Sequence, residues 1–223
     1  MKPALIISFN LVLLSATSCQ QKPASRTVEA LKSPAVVASA TPIVKALPAA
    51  ASPQLKQLIE GAIEQAGVTT GYDPSYVAIS YPNGDVPIET GVCSDVVVRA
   101  FRKAGIDLQK EVHEDMVRAW STYPKEWGAS RPDKNIDHRR VLNLKKYFER
   151  KGKSVPITSE RDDYRPGDIV SWNLTNGVPH IGIVINQWSD ETKGYLVTHN
   201  IGAGTKIEDV LLNWQITGHY RYF

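Results

Sequence analysis

The spacing of apolar residues changes between residues 152 and 168 of this 223-residue chain. From residue 52 to residue 152, apolar side chains recur at three- and four-residue intervals, which is typical of amphipathic helices. From residue 168 onward, short runs rich in β-branched and aromatic residues alternate with turn residues, which indicates strands. Helices followed by neighbouring strands predict an α+β domain in which N-terminal helices pack on a mainly antiparallel sheet.

Four helices are predicted before the strands begin. Ser52 is suited to cap the first helix because its hydroxyl can accept a backbone N–H, and Pro53 has no N–H to leave unpaired. The second helix begins at Cys93 and ends at Gly105, since glycine accepts the backbone conformation that commonly ends a helix. This second helix carries the residue of greatest chemical interest.

The first 18 residues have the composition of an export signal. Lys2 supplies a positive start, Ala4–Leu14 is mostly apolar, and small residues lead directly to Cys19. The apolar run is shorter than the ~20 residues that a membrane-spanning helix needs. The pattern resembles a bacterial lipoprotein signal, which implies a lipid anchor at Cys19 and a periplasm-facing membrane location, the outer membrane in a Gram-negative cell. Ordinary secretion and a buried apolar helix are the alternatives.

Residues 19–53 are rich in Ala, Pro and Ser and poor in aromatic and charged residues. Such a composition favours a semi-extended tether over a packed core. We therefore divide the chain into a signal peptide (1–18), a tether (19–53) and a folded domain (54–223).

Charge and cysteine content exclude several classes of protein. The net charge of +3 is small and spread along the chain, and no basic cluster is interleaved with aromatic residues, so we expect no nucleic-acid partner. The sequence contains no HExxH and no paired-cysteine motif, so we expect neither a metal nor another cofactor. We expect a monomer. If Cys19 carries lipid, Cys93 has no disulfide partner and needs another explanation in an oxidising compartment.

Cys93 lies at the first turn of its predicted helix, where unpaired N–H groups and the helix dipole favour the thiolate, which is the nucleophilic form. A cysteine nucleophile needs a base and a group that orients the base. His180 opens one predicted strand, and His199 and Asn200 lie near the end of the next. Antiparallel neighbours can bring these groups together, although only one of His199 and Asn200 can face the same side as His180. An inert buried cysteine and structural histidines remain alternatives.

Four stretches in order carry a family resemblance: TGVCSDVVVRAFRKAGIDL, RPGDIVSW, PHIGIVIN and LVTHNIG. They resemble the papain-like cell-wall cysteine peptidases of the NlpC type. The resemblance implies a papain-like fold with Cys93 as nucleophile and His180 as general base. His199 would orient His180, with Asn200 as the alternative third residue. Tyr81, twelve residues before the cysteine, would donate to the oxyanion together with the Cys93 N–H, unless it is only a half-buried aromatic.

A closer resemblance runs to the C-terminus. The stretches GVCSDVV, IDHRRVLNL, PGDIVSW, HIGIV and ITGHYRY are similar to those of a bacterial domain-of-unknown-function family within that superfamily. Because this family has no settled function, the expected mechanism comes from the wider superfamily.

Three charged residues form the predicted substrate-binding set. Asp95 follows the cysteine, whereas NlpC-type peptidases have a carboxylate before it; there it could cap the helix and would raise the pKa of the thiol. Arg139 and Arg140 could clamp a substrate carboxylate, since guanidinium groups bind carboxylates bidentately. The alternative is a helix start that Asp137 caps, with both arginines paired on the surface.

These observations predict a cell-envelope thiol hydrolase that cleaves an amide bond, with peptidoglycan stem peptides as the expected substrate. A non-catalytic cell-wall or protein-binding module on the same fold is one alternative. A cysteine-dependent acyltransferase is the other, because the same chemistry could pass the acyl group to an amine or a lipid.

Overall fold

The computed structural model describes residues 43–223, which belong to a unit that runs from Ala40 to Phe223. The predicted signal peptide, Cys19 and most of the tether lie outside the described residues. No helix within residues 43–223 is both long and apolar enough to cross a membrane. The helices and strands, in chain order, are β1 (Ile43–Val44), α1 (Pro53–Glu64), α2 (Cys93–Lys103), α3 (Leu108–Ala119), α4 (Val141–Arg150), β2 (Ile169–Asn173), β3 (Pro179–Ser189), β4 (Gly194–Asn200), β5 (Thr205–Glu208) and β6 (Gln215–Tyr220).

Five strands form a sheet in the order β5-β4-β3-β2-β6, with every neighbouring pair antiparallel, and β1 pairs with the far end of β3. All four long helices precede these five strands. The predicted α+β class with a mainly antiparallel sheet is therefore confirmed.

The two faces of the sheet pack against different layers. Along β3, Ile181 and Ile183 contribute to the core beneath the helices, while Val184 packs into a second core on the other face. Successive side chains of a strand point to opposite faces, so His180 lies on the same face as Val184. This alternation decides which residues can meet in the site.

The first helix begins as its sequence predicts. The Ser52 hydroxyl accepts the Leu55 N–H at 3.1 Å, and Pro53 occupies the first helical position. The preceding segment corrects the expected boundary of the tether. Ile43 pairs with Trp188 of β3, so part of the Ala- and Pro-rich stretch belongs to the folded unit.

A buried ion pair fixes the start of α2. Arg139, in a short 3-10 turn before α4, donates from Nε to Asp95 Oδ1 at 2.9 Å and from Nη2 to Asp95 Oδ2 at 3.0 Å. Its remaining donors reach the carbonyls of Ser75 and Asp73. Arg139 and Asp95 are thus occupied with each other and with the backbone, which corrects their prediction as substrate ligands.

Arg139→Met should lower the free energy of unfolding by about 3–5 kcal/mol, because it leaves the Asp95 carboxylate buried without a partner. Urea denaturation measures the loss. Arg118→Met, at a largely exposed arginine of α3, should cost less than about 0.5 kcal/mol. The double variant Asp95→Asn/Arg139→Met should lose less than Arg139→Met alone; equal losses in the Arg139 and Arg118 variants would show that the ion pair contributes nothing.

His138 is enclosed on the other side of this turn. It is 2% exposed, and its Nδ1 has no hydrogen-bond partner among the described residues. Burial lowers the pKa of His138 to about 4, and the charge of Arg139 acts in the same direction. The folded protein therefore keeps this imidazole neutral at pH values where an unfolded chain protonates it.

Stability should fall as the pH drops from about 6.5 to 4, since the unfolded state then binds a proton that the folded state does not. The His138 contribution is roughly 3 kcal/mol once the pH reaches 4. Urea midpoints at pH 7.5, 5.5 and 4.5 measure the slope. His138→Gln should make this slope shallower but not remove it, because His180 also has a pKa lowered by burial. Parallel curves for the two proteins would contradict the assignment.

Candidate active site

Cys93 is the first residue of α2 and is 5% exposed. The turn around it is held by the side chains that follow. Asp95 Oδ2 accepts the Val92 N–H at 2.7 Å, and the Ser94 hydroxyl donates to the Arg139 carbonyl at 2.8 Å. Asp95 therefore acts as the cap that the sequence suggested, and it fixes the direction in which α2 presents its cysteine.

The environment of the thiol is less favourable to a thiolate than the helix start alone predicts. Burial raises the pKa of Cys93 to about 12, the Ile181 N–H opposes this rise, and the Asp95 carboxylate adds to it. The N–H groups of Ser94 and of Cys93 itself also favour the thiolate. Burial outweighs these donors, so the resting cysteine is a protonated thiol, which corrects the expectation from sequence.

The structure joins His180 to His199. His180 Nε2 lies 2.8 Å from His199 Nδ1, and His199 Nε2 lies 2.9 Å from Glu208 Oε2. Strands β3, β4 and β5 supply one residue each. The side chains form an unbroken hydrogen-bonded chain from a partly exposed carboxylate to a buried imidazole.

The carboxylate determines where the protons of this chain lie. A carboxylate only accepts, so His199 Nε2 must donate to Glu208. A neutral His199 then offers Nδ1 as an acceptor, and His180 Nε2 donates to it. This leaves the lone pair of His180 on Nδ1, which forms no hydrogen bond within the described residues.

Aromatic rings shield the two histidines. Trp172, which pairs with His180 across the sheet, has its ring centroid 5.8 Å from that of His180. Trp214 lies 6.0 Å from His180 and 6.1 Å from His199 between centroids. Burial lowers the pKa of His180 to about 3, and the neighbouring His199 adds to this effect. His180 is therefore a neutral base across the physiological range of pH.

Asn200 has a different task. Its side chain points to the helix side of the sheet and donates to the carbonyls of Gly71 and Gly91, each at 3.1 Å. Gly91 lies two residues before Cys93, so Asn200 ties the cysteine loop to the end of β4. Of the two candidates for the third residue, His199 is the one that contacts His180.

Tyr81 and Tyr72 differ in their surroundings. Tyr81 packs edge-on against His113 of α3, at 5.4 Å between centroids, and lies within the field of Glu114. Tyr72 instead lies within the electrostatic field of Cys93. Burial raises the pKa of Tyr72, and the charges of Cys93 and Asp95 act in the same direction. Tyr72 is thus a protonated hydroxyl close enough for the charges of Cys93 and Asp95 to act on it, a residue that the sequence reasoning missed.

Cys93 contacts the start of β3. The thiol lies close to the N–H of Ile181, the residue that follows His180. No hydrogen bond joins the thiol to either histidine in the part of the chain that the structure describes. Catalytic hydrogen bonds are often long in enzymes without substrate and shorten when substrate binds.

Arg140 is separate from its neighbour Arg139. Its guanidinium carbon lies 4.4 Å from the centre of the Trp127 ring. Arg140 and Trp127 line a cavity of about 300 Å³ formed mainly by residues 124–143. Among the residues 43–223, no group of three His, Cys, Asp or Glu side chains is arranged to hold a metal ion.

The chain is similar to proteins and to a domain family that are already known. The "Uncharacterized protein YijF" of Escherichia coli (strain K12) is 54% identical over 166 residues, which cover 74% of this chain and 80% of that protein. A solved structure described as similar to a lipoprotein of the NLP/P60 family, from Staphylococcus aureus, shares 15% identity with a TM-score of 0.38. That match covers 82% of this chain but only 44% of the solved chain, so the chain spans less than half the length of that protein. The family described as "Domain of unknown function (DUF1287)" matches residues 59–222, and the chain belongs to this family.

Proposed function

We propose that the protein is a thiol hydrolase of the cell envelope that cleaves an amide bond in peptidoglycan stem peptides. The observation that carries the proposal is the chain Glu208–His199–His180, which leaves an unprotonated Nδ1 on the residue next to the contact between Cys93 and β3. A general base needs an unprotonated ring nitrogen, and this order of protons supplies one on His180.

The first half of the reaction forms a thioester. As the Cys93 sulfur attacks the amide carbon, its proton passes to His180 Nδ1, and the carbonyl oxygen becomes an oxyanion. The Tyr72 hydroxyl and the Cys93 N–H are the donors proposed to stabilise that oxyanion. When the C–N bond breaks, His180 Nδ1 returns its proton to the leaving amine.

The second half restores the enzyme. Water attacks the thioester carbon while His180 Nδ1 takes the water proton. The C–S bond then breaks and His180 gives this proton to the sulfur, which yields the carboxylic acid and the cysteine thiol. In both halves the imidazolium of His180 donates through Nε2 to His199, which donates to Glu208. The negative carboxylate at the end of the chain stabilises the positive charge that forms on His180.

The proposed location rests on the sequence. The N-terminal pattern resembles a lipoprotein signal with Cys19 as the lipid-bearing residue, and residues 19 to about 42 would connect the anchor to the folded unit. A short tether of this kind keeps the site within reach of material next to the membrane. Stem peptides are abundant amide substrates there.

A binding module without turnover is the second candidate. It is favoured by the raised pKa of Cys93 and by the missing hydrogen bond between Cys93 and His180. Such a module would bind peptide in the same cleft but release no amine.

Release of amines from purified peptidoglycan fragments by the full-length protein tests the two candidates. Cys93→Ala should abolish release, and His180→Gln should lower kcat by about 10²–10⁴-fold. Arg118→Gln, which changes a largely exposed residue of α3, should retain activity. Tight fragment binding by the wild type, with no release above that of Cys93→Ala, would favour the binding module.

Alkylation of Cys93 by iodoacetamide should accelerate about tenfold for each unit of pH between 7 and 10, because the thiol titrates near 12 and only the thiolate reacts. The rate should therefore show no plateau in this range. A plateau below pH 8 would show a preformed thiolate–imidazolium pair and would contradict the neutral resting state.

Glu208→Gln should lower kcat about tenfold, because the amide has no negative charge to stabilise the imidazolium. The amide can also donate to His199 and reverse the order of protons in the chain. Nitrogen NMR of the labelled histidines should show an unprotonated His180 Nδ1 in the wild type and a mixture of forms in the variant. Glu191→Gln, at an exposed turn, is the control, and unchanged histidine spectra in Glu208→Gln would remove Glu208 from the mechanism.

A further inference from the structure

A cavity of about 300 Å³ is lined by none of the residues proposed for catalysis and has no part in the chemistry described above. Its walls come from the segment between α3 and α4. The lining residues include Tyr76, Met116, Trp127, Arg131, Asp137 and Arg140. The cavity therefore combines aromatic, apolar and charged surfaces within one enclosure.

Arg140 brings the cavity an uncompensated positive charge. Its guanidinium stacks on the Trp127 ring and forms no hydrogen bond or ion pair with any residue that the structure describes. Trp127 is 56% exposed and has a left-handed backbone with φ of 59°, a conformation that is strained for a bulky residue. Strain of this kind persists only where the surrounding structure holds it, and it is common at ligand sites.

The carboxylates of the cavity are already engaged. Asp137 Oδ2 lies 2.8 Å from His113 Nδ1 and accepts the Asp133 N–H at 2.8 Å. Asp133 accepts the Tyr76 hydroxyl at 3.0 Å and the Asn135 N–H at 2.9 Å. Glu126 is exposed at the rim of the cavity. None of these carboxylates pairs with Arg140.

We propose that Arg140, stacked on Trp127, binds a carboxylate of the substrate. The proposal deepens the proposed function and rests on it for the identity of the ligand, a peptide that carries a free carboxylate near the amide to be cleaved. A planar guanidinium presents parallel donors to the two oxygens of a carboxylate, and stacking on an aromatic ring fixes the plane of the fork. Arg131 lines the same cavity and adds positive charge near its opening.

Electrostatics favour an anion at this position. Burial lowers the pKa of Arg140, and the adjacent Arg139 lowers it further. Arg139 forms its ion pair with Asp95. It therefore repels the positive charge of Arg140 and supplies no negative partner for it. A bound carboxylate would relieve both effects, because it replaces lost hydration and balances the charge.

A hydrogen bond at the start of α2 relates the cavity to Cys93. The Ser94 hydroxyl donates to the Arg139 carbonyl at 2.8 Å. Ser94 follows Cys93 and Arg140 follows Arg139, so the thiol and the cavity arginine are each one residue away from this contact.

The test compares two synthetic peptides, L-Ala-γ-D-Glu-L-Lys with free carboxylates and the same peptide with every carboxylate converted to a carboxamide. Calorimetry measures the Kd of each for the full-length protein, and amine release gives kcat and KM. Arg140→Gln removes the charge from the cavity. Arg118→Gln removes an equal charge from the exposed face of α3.

Arg140→Gln should raise Kd and KM for the free peptide at least about tenfold, should change kcat less than about twofold, and should leave the carboxamide peptide unaffected. Arg140→Lys should recover part of the loss, because lysine restores the charge but not the fork. Arg118→Gln should match the wild type. If Arg140→Gln behaves as Arg118→Gln does, or weakens both peptides equally, the carboxylate site is refuted.

Calorimetry separates this inference from the proposed function. Binding that depends on both Arg140 and the free carboxylate, without any amine release, would overturn the hydrolase and support the carboxylate site. Amine release that is the same for both peptides and insensitive to Arg140 would support the hydrolase and overturn the carboxylate site.

Discussion

The buried pair between Asp95 and Arg139 is the contact on which the rest of the site depends. One guanidinium joins the start of α2, the 3-10 turn before α4 and the backbone of the segment around Ser75. Because two charges removed from water are stable only when their geometry and hydrogen bonding are complete, the pair tolerates little displacement. It therefore holds three otherwise independent segments in one arrangement around Cys93.

The site that results keeps its charges low at rest. Burial holds Cys93 as a thiol and His180 as a neutral imidazole. The Asp95 carboxylate is two residues after Cys93, and His199 lies between His180 and the Glu208 carboxylate. In the proposed reaction, proton transfer from Cys93 to His180 has to be coupled to the attack on the substrate, because neither ion is stable beforehand. The same shielding that makes the thiol slow to react would protect it from oxidation.

Much of the fold was readable from the sequence because it depends on local pattern. The Ser52 cap, the helix that begins at Cys93 and the strand that contains His180 all follow from spacing and turn residues. The strand Ile43–Val44 was not readable, since two apolar residues in an Ala- and Pro-rich stretch gain strand structure only by pairing with β3. The contact between Tyr81 and His113 was not readable either, because it joins positions that lie far apart in the chain.

The sequence by itself determined the α+β class and the residue types available for chemistry: one thiol at a helix start and two histidines on neighbouring strands. Only the tertiary structure decided how they are used. Strand alternation placed His199 beside His180 and turned Asn200 to the other face. The pairing of β4 with β5 brought Glu208 to His199, a contact that no local pattern encodes. Arg139 and Arg140 look equivalent in the sequence. Burial against Asp95 gave Arg139 a structural role, whereas Arg140 has no ion pair among residues 43–223.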